Sequence, residues 1–466
     1  MRALEVLSVP GTIVGLPSVS TTARATLCRV RSRLRVSRFE QHVSRFELPT
    51  LPRRLSLAVL LICLEGLISL AGCAGLGVRE LRPSVDQQLP SSLPMPIRTL
   101  GTDHRFSQLS SSSIAMRLRA LHPGEPLNIL ALSGGGAAGA FGAGAVAGLT
   151  RSANWPDFAV VTGVSAGALV APYAFLGPAW DARLLDAFTG GAGDHLLQSR
   201  GLGMVFGSSL YRGAPLKHLI ESYLSDAMIQ AVAREADQGR LLLVATTDVA
   251  TGKPVVWDLG SIARNGGSFA RTLFRDVLVA SASVPGMFPP VIIRVQETGA
   301  PHDEVHVDGA ATMPFFVPPA FLQTPAAALD GTHRPTVYVI IDGPLSEGVQ
   351  ATRLTARAIL SRSIQAGLDR LLLTSLELTA ATAQLQGATL QYSALPSAYP
   401  HLDPFDFRAD ATLPLFNYAN ECARTGRLWT AFRRADDDGL TTGRVSETQN
   451  IPCPADDAFI RYFASR

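Results

Sequence analysis

The sequence predicts an α/β fold with a mostly parallel sheet, because an apolar, strand-like run passes twice through a glycine-rich turn into a helix-compatible stretch. The first unit runs from residues 127–132 through Ser133-Gly134-Gly135-Gly136 into 140–149, and the second from 158–162 through Gly163-Val164-Ser165-Ala166-Gly167 into 168–175. A third apolar-alternating segment, 304–308, ends in Asp308-Gly309, and a further strand is expected at 336–341.

Each turn carries its own chemistry. Gly-x-Ser-x-Gly between a strand and a helix is the nucleophile elbow, in which small neighbours permit a strained turn that lifts the Ser165 hydroxyl clear of the backbone. In a chain with 41 glycines the pattern alone is weak, and its position between strand and helix is what gives it weight. Gly134, Gly135 and Gly136 leave backbone N–H groups unshielded at the start of a helix, which suits an anion: a phosphate, or the oxyanion of an attacked ester. A tight turn in a close helix–strand contact is the plain alternative. A dinucleotide site would need an acidic residue at the end of the second strand; that strand ends in the serine elbow, and Asp157 precedes it. Asp308, at the carboxyl end of a strand in a parallel sheet, would face the same crevice and serve as base, although Asp-Gly is also an ordinary turn.

Taken in order, the glycine loop, the elbow, the block Ala280-Ser281-Ala282-Ser283-Val284-Pro285-Gly286-Met287-Phe288-Pro289-Pro290 and the Asp-Gly strand end resemble the patatin-like phospholipase family over about residues 127–319. The resemblance implies a three-layer α/β/α sandwich and a lipid acyl hydrolase of phospholipase A or lysophospholipase type. It also implies a Ser165–Asp308 dyad without histidine, an oxyanion hole at Gly134, Gly135 and Gly136, a lipid or phospholipid substrate, and no cofactor. Ser133, Ala138 and Ala310 depart from the family pattern, and Ala138 removes a positive charge near an anionic head group. His306, two residues before Asp308 on the same strand face, is the alternative base. No His or Cys cluster has metal-ligand spacing. Two other functions stay open, a non-hydrolytic envelope lipid-binding or assembly factor and an acyltransferase.

The 466 residues, 47% hydrophobic, suffice for one large core with a helical appendage. The net charge of +3 conceals an uneven distribution: residues 1–54 hold ten arginines against three glutamates, so the remainder is net acidic at −4. A slightly acidic body argues against nucleic-acid binding through a broad basic surface. Residues 1–50 read as a disordered basic arm or a non-translated leader. Residues 51–72 then read as a signal peptide, with Arg53-Arg54, an apolar run and small residues before Cys73. Leu70-Ala71-Gly72-Cys73 resembles the bacterial lipoprotein box, which makes Cys73 the lipidated residue, the membrane a partner through that anchor, and the periplasmic face of the outer membrane the destination. Glu65 within the run leaves an uncleaved anchor open.

A tether is expected over 73–105, a catalytic domain over 106–345 with a lead-in helix near 110–121, and a helical extension over 346–466 with helices at about 354–391 and 406–429. The apolar side of the first of these helices would pack on the core or lie against a membrane. The loop and helix over 208–224 are expected to flank the site's mouth, with Tyr211 and Arg212 as candidates for a lipid head. In an oxidising compartment Cys422 and Cys453 would form a disulfide, or else stand as two unpaired thiols.

Overall fold

The computed structural model describes residues 98–100, 127–152, 155–201, 208–295, 302–318, 335–345, 352–432 and 451–457. The leader, the signal peptide, Cys73, most of the tether and the lead-in helix expected near 110–121 lie outside these residues. In chain order the strands are β1 Arg98–Leu100, β2 Asn128–Leu132, β3 Phe158–Val164, β4 Leu241–Asp248, β5 Lys253–Asp258, β6 Val291–Val295, β7 His302–Asp308, β8 Thr336–Ile341, β9 Thr389–Ala394 and β10 Thr430–Ala431. The helices are α1 Gly139–Leu149, α2 Ala166–Leu176, α3 Asp181–Thr189, α4 Gly213–Tyr223, α5 Asp226–Asp237, α6 Leu259–Asn265, α7 Gly267–Ser281, α8 Ala356–Leu385 and α9 Ala409–Arg424.

The strands form one mixed sheet in the order β1-β5-β4-β3-β2-β8-β9-β10. Its centre, β4-β3-β2-β8-β9, is parallel. Parallel strands are buried on both faces, so their side chains are apolar whichever way they point. In β2, Leu130 and Leu132 enter the core beneath α1, α2, α7 and α9, while Ile129 and Ala131 enter a second core with Val160, Val164, Phe315 and Phe316. Leu376, Ala380 and Ala383 of α8 close that second face, and the result is a three-layer α/β/α sandwich.

Two features differ from the sequence expectations. The helical stretch expected to reach 391 stops at Leu385, and Thr389–Ala394 instead joins the sheet parallel to β8. The β-branched and aromatic residues Thr389 and Tyr392 favour a strand once β8 offers a partner. The C-terminal region is thus helical in α8 and α9 but also supplies two strands. Secondly, β7 is not part of the parallel set: it pairs antiparallel to β4 and β6.

All eleven residues of α1 are buried, and its glycines allow α9 to approach at backbone distance. A Cβ at Gly144 would lie 2.1 Å from the Phe416 carbonyl oxygen, and one at Gly148 would lie 2.3 Å from that of Asn420. The first turn of α1 finds a distant partner as well, since Gly142 N–H donates to Asp342 Oδ1 at 2.8 Å, just beyond β8. That bond ties the first turn of α1 to the end of β8. Cys422 of α9 is bonded to Cys453, with Cα atoms 5.5 Å apart and a separation of 31 positions in sequence.

Two stability measurements check this packing. Gly144→Val should lower the unfolding free energy by about 1–3 kcal/mol or more through forced separation of α1 and α9. Replacing Cys422 and Cys453 by serine should cost about 2–4 kcal/mol through the freed loop. Urea unfolding of the variants that matched the parent chain would contradict the close approach and the bond respectively.

Candidate active site

The serine and the aspartate meet because two strands share one edge of β4. The parallel strand β3 occupies it as far as Val164, which pairs with Ala245; at the next position Thr246 pairs with Asp308 of the antiparallel β7. The carboxyl ends of β3 and β7 therefore point at each other. Asp308 reaches the crevice from the opposite direction to that expected of a parallel strand.

Ser165 sits at φ 55°, the one non-glycine residue with positive φ among the described residues. Such a conformation costs on the order of 1–3 kcal/mol and persists only where its surroundings hold it. The support is visible. Ser165 N–H donates to Ser281 Oγ at 3.0 Å, and Ser281 Oγ donates to the Ala245 carbonyl at 2.7 Å. On either side, a Cβ at Gly163 would lie 2.6 Å from the Gly167 carbonyl, and one at Gly167 would lie 2.5 Å from that of Ser133, so both elbow positions require glycine. Ser281, in the proline-containing block, was not singled out by sequence; its serine-rich surroundings were the available signal.

The strained turn aims the hydroxyl at the carboxylate: Ser165 Oγ donates to Asp308 Oδ2 at 2.5 Å. Asp308 Oδ1 accepts from Ala310 N–H at 2.8 Å, and the Asp308 N–H donates to the Ser283 carbonyl. Burial pushes the Asp308 carboxyl up from 3.8 to about 7, against the hydrogen bonds from Ser165 and Ala310 that favour its charged form. A carboxyl in that range can accept a proton from a hydroxyl more readily than one in water.

His306 is turned to other work. Trp257 Nε1 donates to Thr246 Oγ1, the same hydroxyl shares a hydrogen bond with His306 Nδ1 at 3.0 Å, and Nε2 faces Glu304 Oε2 at 3.0 Å. Both ring nitrogens are thereby engaged away from Ser165, and the fully buried imidazole braces β7 beneath Asp308.

The glycine loop divides into two roles. Gly134 N–H donates to the Pro314 carbonyl at 3.0 Å, which removes it from the oxyanion donors expected of all three glycines. Its importance is steric: a Cβ there would stand 3.0 Å from Ser165 Cβ and 3.7 Å from Oγ. Among the described residues the N–H groups of Gly135 and Gly136 have no acceptor, and Gly136 turns at φ +59°. The loop is clamped from behind by Asp342, whose N–H donates to Ser133 Oγ and whose carbonyl would lie 2.1 Å from a Cβ at Gly135. Burial holds the Asp342 carboxyl well above the usual range, and its Oδ2 has no partner among the described residues. Sequence gave no hint of this residue, which only the end of β8 brings beneath the loop.

Ser165 and Gly136 open onto an almost wholly apolar pocket walled by Leu169, Leu216, Leu219, Ile220, Met228 and Phe288. Leu216, Leu219 and Ile220 come from α4, as expected of the segment flanking the mouth. Tyr211 packs against Phe288, whereas Arg212 is exposed at the start of α4. Among the described residues no three His, Cys, Asp or Glu side chains gather as a metal site, and no helix is long and apolar enough to cross a membrane.

Comparison with known proteins places this geometry. Residues 130–321 match the family model described as patatin-like phospholipase. No curated protein sequence matches the chain. Among solved structures it is similar to VipD from Legionella pneumophila, at 9% identity and a TM-score of 0.32, covering 67% of this chain and 68% of that one. It is also similar to human GIVD cytosolic phospholipase A2, at 13% identity and a TM-score of 0.31, covering 67% of this chain and 53%, about half, of the human one. The segment that holds the glycine loop, the elbow and Asp308 is a member of the patatin-like phospholipase family.

Proposed function

We propose that the protein hydrolyses the ester of a phospholipid or related lipid by a Ser165–Asp308 dyad. The observation that carries this reading is the 2.5 Å hydrogen bond from Ser165 Oγ to a fully buried carboxylate at the edge of an apolar pocket. An acyl chain suits that pocket, because apolar walls reward burial of methylene groups at about 0.8 kcal/mol each.

In this mechanism Ser165 Oγ attacks the ester carbonyl carbon while its proton passes to Asp308 Oδ2. The negative charge that develops on the carbonyl oxygen is met by the N–H groups of Gly135 and Gly136. Collapse of the tetrahedral species breaks the bond to the alcohol, which leaves with the proton from Asp308 and an acyl-serine behind it. Water then attacks the acyl carbon, gives its proton to Asp308, and releases the fatty acid as Ser165 recovers its hydrogen. Asp342 and Ser281 act by holding the loop and the elbow in place. The lipid anchor at Cys73 is a separate part of the proposal; it rests on the sequence of the lipoprotein box and would keep the enzyme beside its substrate.

Ser165→Ala should abolish turnover and labelling by a fluorophosphonate while leaving the thermal transition in place; retained hydrolysis would refute the nucleophile's role. Products from mixed phospholipids, read by mass spectrometry, should be free fatty acid rather than a new ester.

The carboxylate is the active form of Asp308, so turnover should rise with pH through a midpoint near the raised value of about 7. Stability should move the other way. The native state keeps a proton that the unfolded chain loses near 3.8, so the Asp308 contribution falls as pH climbs from there to about 7. Asp308→Asn should remove both dependences together with the activity. A rate profile flat across this window, measured on a soluble ester, would count against Asp308 as base.

A further inference from the structure

The connection from β8 through α8 to the parallel neighbour β9 fixes the direction of α8, which must start at the carboxyl edge of the sheet and run back down it. That edge is where β3 ends at Ser165. The helix is too long for the sheet it covers: thirty residues span roughly 45 Å, whereas the six residues of β9 span roughly 20 Å. Its core contacts, from Leu372 to Ala383, all fall in the second half. The first half therefore overhangs the carboxyl edge on the active-site side.

The polarity of this overhang is inverted. Ile359, Leu360 and Ile364 lie within one arc of the helix and are 48%, 63% and 56% exposed. Leu354, just before the helix, is 93% exposed. The opposite arc is polar yet only half exposed, and it is tied to itself: Gln365 Nε2 donates to Asp369 Oδ1 at 2.8 Å, with Arg362 3.9 Å from Asp369. A helix that turns its polar side inward and its apolar side to water is shaped for an apolar partner. Arg353 and Arg370 flank this overhang and are exposed, and residues 352–370 hold four arginines against one aspartate, so the partner should also be anionic.

We propose that the first half of α8 docks the protein on an anionic lipid bilayer, seating Ile359, Leu360 and Ile364 at the boundary of head groups and acyl chains, at the same carboxyl edge of the sheet as Ser165. Apolar residues flanked by arginines bind such interfaces through area and charge together. The proposal rests on the lipid-hydrolase reading for its purpose but is tested independently of it.

In the full chain, a tryptophan introduced as Leu360→Trp should gain emission quenching on vesicles of phosphatidylglycerol carrying doxyl-labelled lipid, relative to the parent chain. Quenching no greater than the parent's would overturn the docking. The triple variant Ile359→Ser, Leu360→Ser, Ile364→Ser should lose at least about tenfold in hydrolysis of phosphatidylglycerol vesicles and keep its rate on a water-soluble short-chain ester. Equal loss on both substrates, or none on vesicles, would overturn it. So would a lipid-free dimer of the parent that the triple variant breaks, since the face would then belong to a second copy. Absence of turnover on every ester would sink the hydrolase reading and leave the quenching to decide the docking.

Discussion

One edge of one strand governs the chemistry of this molecule. Ala245 and Thr246 of β4 are consecutive, yet the first pairs with the parallel β3 and the second with the antiparallel β7. Because two strands approaching from opposite directions end at the same place on β4, residues 143 positions apart come within a hydrogen bond of each other. No loop has to fold back to bring them together. The Ser165–Asp308 pair is built on strand ends, and the strain of Ser165 is held by the same β4 through Ser281 and the Ala245 carbonyl.

Burial is the second half of the design. A carboxylate excluded from water is costly, and the cost appears as a raised proton affinity rather than as a lost fold. Two carboxyls are treated this way around the glycine loop. Asp308 keeps hydrogen-bond donors on both oxygens, which preserves access to its charged form. Asp342 has a donor on one oxygen only, so its neutral form is favoured and it acts as a clamp on the loop. Similar residues at the ends of β7 and β8 thus serve different ends through the number of donors each receives.

The proposed reacting groups, Ser165 and Asp308, were legible in the sequence because each sits at a local transition, a strand passing into a turn, where backbone geometry demands small residues nearby. Gly163, Gly167 and the glycine loop are constraints of that kind. What escaped was non-local. That β7 runs antiparallel depends on which edge of β4 is vacant beyond Val164, and no feature of residues 302–308 records it. Likewise the N–H of Gly134 is lost to Pro314, which a motif cannot show. Helical periodicity in 354–391 extended three residues into what became β9, where pairing with β8 outweighed the local pattern. Ser281 and Asp342 act through contacts far away in sequence, Ser281 with Ser165 and Ala245, Asp342 with Ser133 and Gly142.

The glycine seam between α1 and α9 gives the C-terminal third of the chain a meaning beyond that of an appendage. The helix whose entry loop presents bare amides to the reaction is pressed, backbone against backbone, by a segment made some 270 residues later and cross-linked in turn to the tail. During synthesis the amide cradle therefore lacks its backing until α9 has emerged.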